Sequence, residues 1–299
     1  MADRVRSIAF IGVGAMGSPM VARLIAAGYD VRLYDTDTAR LTEFASRHGG
    51  TVADIPAAAA DKADVVITML PNSRIVEAVL SGETGVLRRL ESGAVVVEMS
   101  SGVPTETIRL SKLVSEAGGS LVDAPVSGGV PRAETGELAI MLGGEAAAAD
   151  RVEPVLKHLG STILRTGTVG SGHAMKALNN LVSAGGFLIG VEAMAIGKKF
   201  GLDPSIIVDV LNASTGMNNS TQKKFKQYVL SRQFNSGFRL DLMVKDLTIA
   251  LGLAESEHVS APFAALCKQM WEGGLNSGLG PDHTAIAQLS EQLAGCKLS

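Results

Sequence analysis

Short β-rich apolar runs and amphipathic stretches alternate along the first half of the chain. The apolar runs fall at Ser7–Ile11, Asp30–Tyr34, Asp64–Met69, Ala94–Glu98 and Ser120–Val122, then at Leu138–Leu142 and Thr162–Arg165. Each has the length and turn-bounded setting of a strand. Between them, apolar positions recur at helical spacing near Ala15–Ala27, Ala39–His48, Arg74–Leu80, Thr105–Glu116 and Ala146–His158. A repeat of about 30 residues per unit is that of βαβ construction with right-handed crossovers, which predicts a doubly wound parallel sheet covered on both faces. After Gly172 the strand pattern stops and a helical one runs to Leu293, with turn signals at Gly201–Pro204, at Gly237 and at Gly278–Pro281. The expected architecture is α/β: a sheet domain over residues 1–166, an all-α domain over 167–299, and a long joining helix at about 172–200. There is no internal repeat and no low-complexity linker.

The first strand leads into F-I-G-V-G-A-M-G-S-P-M, residues Phe10 to Met20. Behind a strand and ahead of a helix, G-x-G-x-x-G is the dinucleotide fingerprint of a Rossmann-type sheet. Gly12 allows the tight turn, Gly14 lets the backbone approach a pyrophosphate, and Gly17 packs helix against strand. Val13, Ala15 and Met16 complete the loop, and free N–H groups at the helix start would face the anion. The second strand delivers Asp35 eighteen residues beyond Gly17, close to the ~20 expected of the acidic residue that bonds ribose hydroxyls. Its charge opposes a 2′-phosphate, so NAD is the preferred cofactor, while Asp37 and Arg40 nearby keep NADP possible. Asp-Thr-Asp-Thr is also a good helix start, which leaves a capping role open for Asp35. Further ligand edges are expected where strands end, at Leu70 and Pro71 and at Ser101.

Composition narrows the partner. A formal charge of −3 with 46% hydrophobic residues carries no basic excess, so nucleic acid is not expected and a small molecule is. No apolar run is read as reaching the ~20 residues of a membrane span; Gly185–Val191 comes nearest. The start, M-A-D-R-V-R-S, is read as carrying no targeting segment. Cys267 and Cys296 are the sole cysteines and lack metal-ligand spacing, which predicts no disulfide, no metal and a reducing cytoplasmic setting.

Two more segments carry chemistry. In D-A-P-V-S-G-G, Ser127, Gly128 and Gly129 expose successive N–H groups and a hydroxyl that could cradle a carboxylate, or form a plain turn. In G-H-A-M-K-A-L-N-N, Gly172, Lys176 and Asn180 stand four apart and share a helix face. A lysine and an asparagine on a core-facing side are costly unless they serve a ligand or a wet cleft; a solvated lysine is the alternative.

Together these segments resemble the β-hydroxyacid dehydrogenases, the 3-hydroxyisobutyrate dehydrogenase group, over nearly the whole chain. The glycine turn looks like the family's cofactor signature, D-A-P-V-S-G-G its substrate loop, G-H-A-M-K-A-L-N-N its G-x-x-x-K-x-x-x-N helix, and F-R-L-D-L-M-V-K-D-L from Phe238 its C-terminal cofactor-closing segment. The resemblance implies an NAD(P)-dependent oxidoreductase acting on a short β-hydroxy acid. It makes Lys176 the general acid/base, Asn180 a substrate-orienting neighbour, and Ser127, Gly128 and Gly129 the carboxylate binders. It places Lys245 on the nicotinamide side with Asp246 as its support, and it implies a homodimer or homotetramer. Ser101 stands where family members often carry Thr. The region Asn212–Ser220 would approach the substrate, or be a helix stop followed by a cap; Arg132 and Arg239 could meet a second anionic group, or lie on the surface. Rival readings are an imine reductase, which typically lacks this lysine, a 6-phosphogluconate dehydrogenase-like enzyme, generally much longer, and a catalytically silent dinucleotide sensor.

Overall fold

The computed structural model describes residues 5–298; Met1 to Arg4, within the start read as free of a targeting segment, and Ser299 lie outside the described residues. The chain forms two compact units, Met1–Lys176 and Ala177–Ser299.

The first unit runs β1 (Ser7–Ile11), α1 (Gly17–Ala26), β2 (Asp30–Tyr34), α2 (Thr38–His48), β3 (Thr51–Val52), α3 (Pro56–Ala60), β4 (Val65–Thr68), α4 (Ser73–Ser81), β5 (Val95–Glu98), α5 (Pro104–Glu116), β6 (Ser120–Asp123), β7 (Val126–Ser127), α6 (Gly129–Thr135), β8 (Ala139–Gly143), α7 (Ala146–Leu156) and β9 (Thr162–Gly167). The strands lie in the order β3-β2-β1-β4-β5-β6-β8-β7, with β9 on β8. The first six positions are parallel throughout, the Rossmann arrangement. All residues of β4 and β5 are buried, because helices cover both faces and a strand sandwiched this way needs no polar side. α1 buries Met20, Val21 and Leu24 against the cluster that holds Phe10, Leu33 and Ile67.

Four elements escaped the sequence pattern. β3 and β7 have two residues each, α3 five and α6 seven, too few to express a period. β8 runs antiparallel to both β6 and β7, a departure from the all-parallel expectation. The short α6 connection returns the chain beside β7, whereas a parallel return needs a crossover of about a dozen residues or more. α1 opens at Gly17 rather than near Ala15; Gly14, Ala15 and Met16 belong to the turn, which Ser18 closes by donating its hydroxyl to the Val13 carbonyl (3.0 Å).

The second unit follows from α8 (Ser171–Phe200) through α9 (Pro204–Asn212), α10 (Asn219–Lys223), a π-helical turn (Phe225–Leu230), α11 (Leu240–Ser256), α12 (Pro262–Asn276) and α13 (Ala287–Ala294). Among the described residues it contains no strand, only an isolated bridge between Arg239 and Asp282. Its core centres on Phe187, Phe225 and Trp271, with Phe187 edge-on to Phe225 at 5.3 Å. α8 is long and apolar enough to cross a membrane by length and composition, with mean hydropathy 1.4 over its most apolar window, which corrects the reading that no run is. Half of that window is buried, and Ala184, Phe187, Leu188, Val191, Met194 and Ala195 belong to the second core.

The two units divide inside α8, ten residues beyond the boundary expected at 166. The first turns of the helix are held by the first unit: the His173 N–H donates to Asp123 Oδ2 at 2.8 Å. Gly172 packs so closely there that an added Cβ would stand 2.4 Å from the Met141 carbonyl oxygen.

The closest approach lies at the glycine turn. A Cβ on Gly17 would stand 1.9 Å from the Gly12 carbonyl oxygen, and Gly12 itself sits at φ +101 against the Met69 carbonyl. These obstacles are backbone and cannot rotate away. Gly17→Ala is expected to destabilise the fold by ~2–4 kcal/mol, measured as a lower urea midpoint at unchanged slope; a midpoint equal to the parent's would contradict this packing.

Candidate active site

In an open α/β sheet the ligand crevice lies beyond the carboxyl ends of the strands where the order reverses, here between β1 and β4. β1 delivers Gly12 to Gly17 there, and β4 delivers Met69 to Asn72. The ladder continues one step past each strand: the Gly12 N–H donates to the Tyr34 carbonyl and the Met69 N–H to the Ile11 carbonyl, both at 2.9 Å. Around Gly14 the space is open, with nothing within 4 Å of an added Cβ. The start of α1 carries no side-chain cap, so its N–H groups are not taken by one. An open backbone edge at an uncapped helix start fits a dinucleotide phosphate.

Asp35 holds this turn in shape. Its Oδ2 accepts from the Val13 N–H at 2.7 Å, and its Oδ1 accepts from the Asp37 N–H at 2.9 Å and from Arg40 Nη2 at 3.0 Å. The capping role left open for Asp35 belongs to Asp37, whose side chain accepts from the Arg40 N–H at the start of α2. Leu70 donates its N–H to Ser100 Oγ at 2.8 Å, tying the β4 edge to the β5 edge that carries Ser101. Pro71 is exposed beside it, and Asn72 caps α4.

Beneath these edges lies a buried ionic cluster that the sequence reading assigned no role. Glu98, Asp123 and His173 are each at most 3% exposed. His173 Nε2 stands 2.7 Å from Glu98 Oε2, and its Nδ1 stands 2.8 Å from Thr107 Oγ1. The Thr107 hydroxyl also lies 3.0 Å from the Val103 carbonyl. Burial disfavours a charged ring, but the Glu98 charge and hydrogen bond, with the Asp123 charge and the Ser100 carbonyl, together hold His173 above its ordinary value. Burial likewise opposes ionisation of Glu98, and the His173 charge and hydrogen bond outweigh it to hold the carboxyl below its usual range. Burial wins at Asp123, which is raised despite accepting the N–H groups of Gly170 (2.7 Å) and His173. Ser100 donates its N–H to Glu98 Oε1 at 2.9 Å. The cluster thus joins the loops after β4 and β5, the end of β6 and the start of α8.

β6 ends at Asp123, four residues before Ser127. Ser127, in β7, pairs with Ala139 of β8, so the candidate carboxylate loop is a strand end and not a floppy turn. Gly128 (φ +139) and Gly129 (φ +70) follow in conformations that favour glycine. Lys176 lies one turn of α8 beyond His173 and is 8% exposed. Asn180, 7% exposed, belongs to the second unit. Its Nδ2 donates to Asp246 Oδ2 at 2.6 Å, while Asp246 Oδ1 lies 3.6 Å from Lys245 Nζ. The link from Asp246 to Asn180 has no sequence signal, because the two residues stand 66 positions apart. Arg132 is exposed, and Arg239 pairs at the surface with Asp241. Asn218 is the cap ahead of α10: its Oδ1 accepts from the Ser220 and Thr221 N–H groups.

Comparison with known proteins adds the family. Residues 7–169 match the model described as the NAD binding domain of 6-phosphogluconate dehydrogenase, and 170–290 the one described as NAD-binding of NADP-dependent 3-hydroxyisobutyrate dehydrogenase. The chain is 36% identical to 2-(hydroxymethyl)glutarate dehydrogenase of Eubacterium barkeri, over 98% of this chain and 97% of that one. It is 33% identical to 3-sulfolactaldehyde reductase of Escherichia coli K12, over 97% of each. A solved structure of Mycobacterium tuberculosis 3-hydroxyisobutyrate dehydrogenase with L-serine superposes with a TM-score of 0.88 at 30% identity, covering 95% of this chain and 99% of that one.

The Glu98 and His173 pair sets a pH signature. The raised His173 contributes stability that is complete below its unfolded value of 6.5 and is lost as pH rises through its folded value; the lowered Glu98 contributes stability complete above 4.5 and lost as pH falls through its folded value. Both are fully present between pH 4.5 and 6.5. Glu98→Gln is expected to cost ~3 kcal/mol at pH 5.5, with the difference from the parent shrinking at pH 9 in urea unfolding; a pH-independent difference would refute the charged pair.

Proposed function

The chain belongs to the β-hydroxyacid dehydrogenase family, NAD(P)-dependent oxidoreductases acting on the CH–OH group of short β-hydroxy acids, and from that premise we propose how its residues divide the work. The buried Lys176 carries the reading, standing four residues before Asn180 on the same face of α8. Gly12, Val13, Gly14, Ala15, Met16 and Gly17 would hold the cofactor phosphates, and Leu70, Pro71 and Ser101 its further edge. NAD(P) supplies hydride chemistry when bound. Ser127, Gly128 and Gly129 hold the substrate carboxylate, which orients the hydroxyl-bearing carbon, and orientation lowers the barrier by removing freedom before reaction. Lys176 takes the hydroxyl proton at Nζ in oxidation and returns it in reduction. Asn180, its amide aligned by Asp246, orients the same hydroxyl, and Lys245 lies on the nicotinamide side.

Asp35 supports NAD over NADP. A 2′-phosphate at its carboxylate would meet like charge, and the cation beside it, Arg40, is already engaged by Asp35 at 3.0 Å. Relatives named for 2-(hydroxymethyl)glutarate, 3-hydroxyisobutyrate and 3-sulfolactaldehyde define a substrate panel. With such a panel, the parent is expected to turn over with NAD at least ~10-fold more efficiently than with NADP, and Lys176→Ala to lose ~10²–10⁴-fold in kcat while keeping NAD affinity. Near-parental turnover by Lys176→Ala would remove the lysine from the mechanism.

We also infer self-association through the outer face of α8. Val182, Ile189 and Ile196 recur every seven residues and are 75%, 54% and 72% exposed, and Phe200 is 84% exposed. A continuous apolar stripe on one helix is the seam of a helix-to-helix interface. Light scattering is expected to show a dimer or tetramer, and Ile189→Asp a shift to monomer with the helical spectrum unchanged; an unaltered mass for that variant would place the interface elsewhere.

A further inference from the structure

Lys224 stands between α10 and the π-helical turn, at φ −128 and ψ −44, so a helix discontinuity presents it. π-helical turns occur frequently at functional sites. Its Nζ lies 3.4 Å from Ser183 Oγ and 6.0 Å from the centre of the Phe187 ring. It pairs with no carboxylate among the described residues. The nearby Asp282 is occupied, its oxygens accepting from Ser236 Oγ, the Gly237 N–H, and the N–H and hydroxyl of Thr284. Burial pushes the Lys224 ammonium down to about 8, with Asp282 opposing the shift. The other titratable neighbour, His283, is held neutral: burial, with the Lys224 charge, pushes it down to about 4. A half-buried ammonium whose nearby carboxylate, Asp282, only partly offsets its loss of water is under-compensated, and burial of such a charge is costly. An anion that arrives with the substrate would pair it.

Ser183 shows where that anion belongs. On α8 it lies three residues after Asn180, on the same face and about 4.5 Å further along the axis. The cation therefore stands a short carbon chain from the residue that orients the reacting hydroxyl. Arg132 and Arg239, considered from sequence for a second anionic group, are at the surface. Lys224 is the half-buried alternative.

We propose that Lys224, with Ser183, forms a specificity subsite for a second carboxylate, so that the preferred substrate is a β-hydroxy dicarboxylic acid. The subsite rests on the roles given above to Asn180 and Lys176.

The test compares kcat/KM for a dicarboxylate, 2-(hydroxymethyl)glutarate, with that for a monocarboxylate, 3-hydroxyisobutyrate, in the full-length protein with NAD. The parent is expected to favour the dicarboxylate at least tenfold. Lys224→Met is expected to cut that ratio at least tenfold, mainly through KM for the dicarboxylate, and Lys224→Arg to retain most of it. In the parent, KM for the dicarboxylate is expected to rise above about pH 8, where the ammonium loses its proton, and this rise is expected to be absent in Lys224→Met. A parental preference for the monocarboxylate, or a ratio in Lys224→Met equal to the parent's, overturns the subsite while leaving the dehydrogenase reading intact. Absence of NAD-dependent turnover of both substrates by the parent overturns the reading itself, and the subsite with it.

Discussion

The buried contact between His173 and Glu98 is the constraint on which the first unit's loops depend. Two titratable groups at 1% and 3% exposure are tolerated because they contact each other at 2.7 Å and their polar neighbours have defined partners. That demand fixes more than one segment: Glu98 also receives the Ser100 N–H, Ser100 receives the Leu70 N–H, and Asp123 receives the first turns of α8. A low local dielectric makes such a network stiff when complete and expensive when any member is missing. The loops after β4, β5 and β6 and the helix carrying Lys176 are thereby held to one another, which is the preorganisation the proposed role of Lys176 requires.

The second unit solves its polar problem differently. Asp246, 2% exposed, anchors Asn180 by a direct hydrogen bond and stands beside Lys245, so one carboxylate serves two residues of the proposed site. Lys224 has no such carboxylate. The contrast between Asp246, in direct contact with its partners, and the half-buried Lys224, in contact with no carboxylate, separates residues the fold completes by itself from the one proposed to take a partner from outside.

The glycine turn was legible because its requirements are local: Gly12 and Gly17 are excluded from carrying side chains by backbone atoms within five residues or by the adjacent strand, and local constraints leave a sequence mark. The shared helix of Lys176 and Asn180 was legible for the same reason, since four-residue spacing on a helix puts them on one face. Glu98 ends an apolar strand and His173 sits three residues before Lys176, faint marks whose meaning needs a chain folded across their 75-residue separation. Ser127, Gly128 and Gly129 read as a cradle or a plain turn, and only pairing with β8 makes a strand of Val126 and Ser127.

The sequence by itself determined the doubly wound sheet, the helical second unit, the dinucleotide turn and the lysine helix, because each follows from periodicity or spacing within a few turns or a few strands. Only the tertiary structure decided that Asp35 braces the turn through Val13 and Arg40, that Glu98, His173 and Asp123 form one buried cluster, that Asp246 aligns Asn180, and that Lys224 rather than Arg132 or Arg239 is the desolvated cation. Burial is the reason: the energy of a charge depends on what surrounds it in space, and that neighbourhood is assembled from positions far apart along the chain.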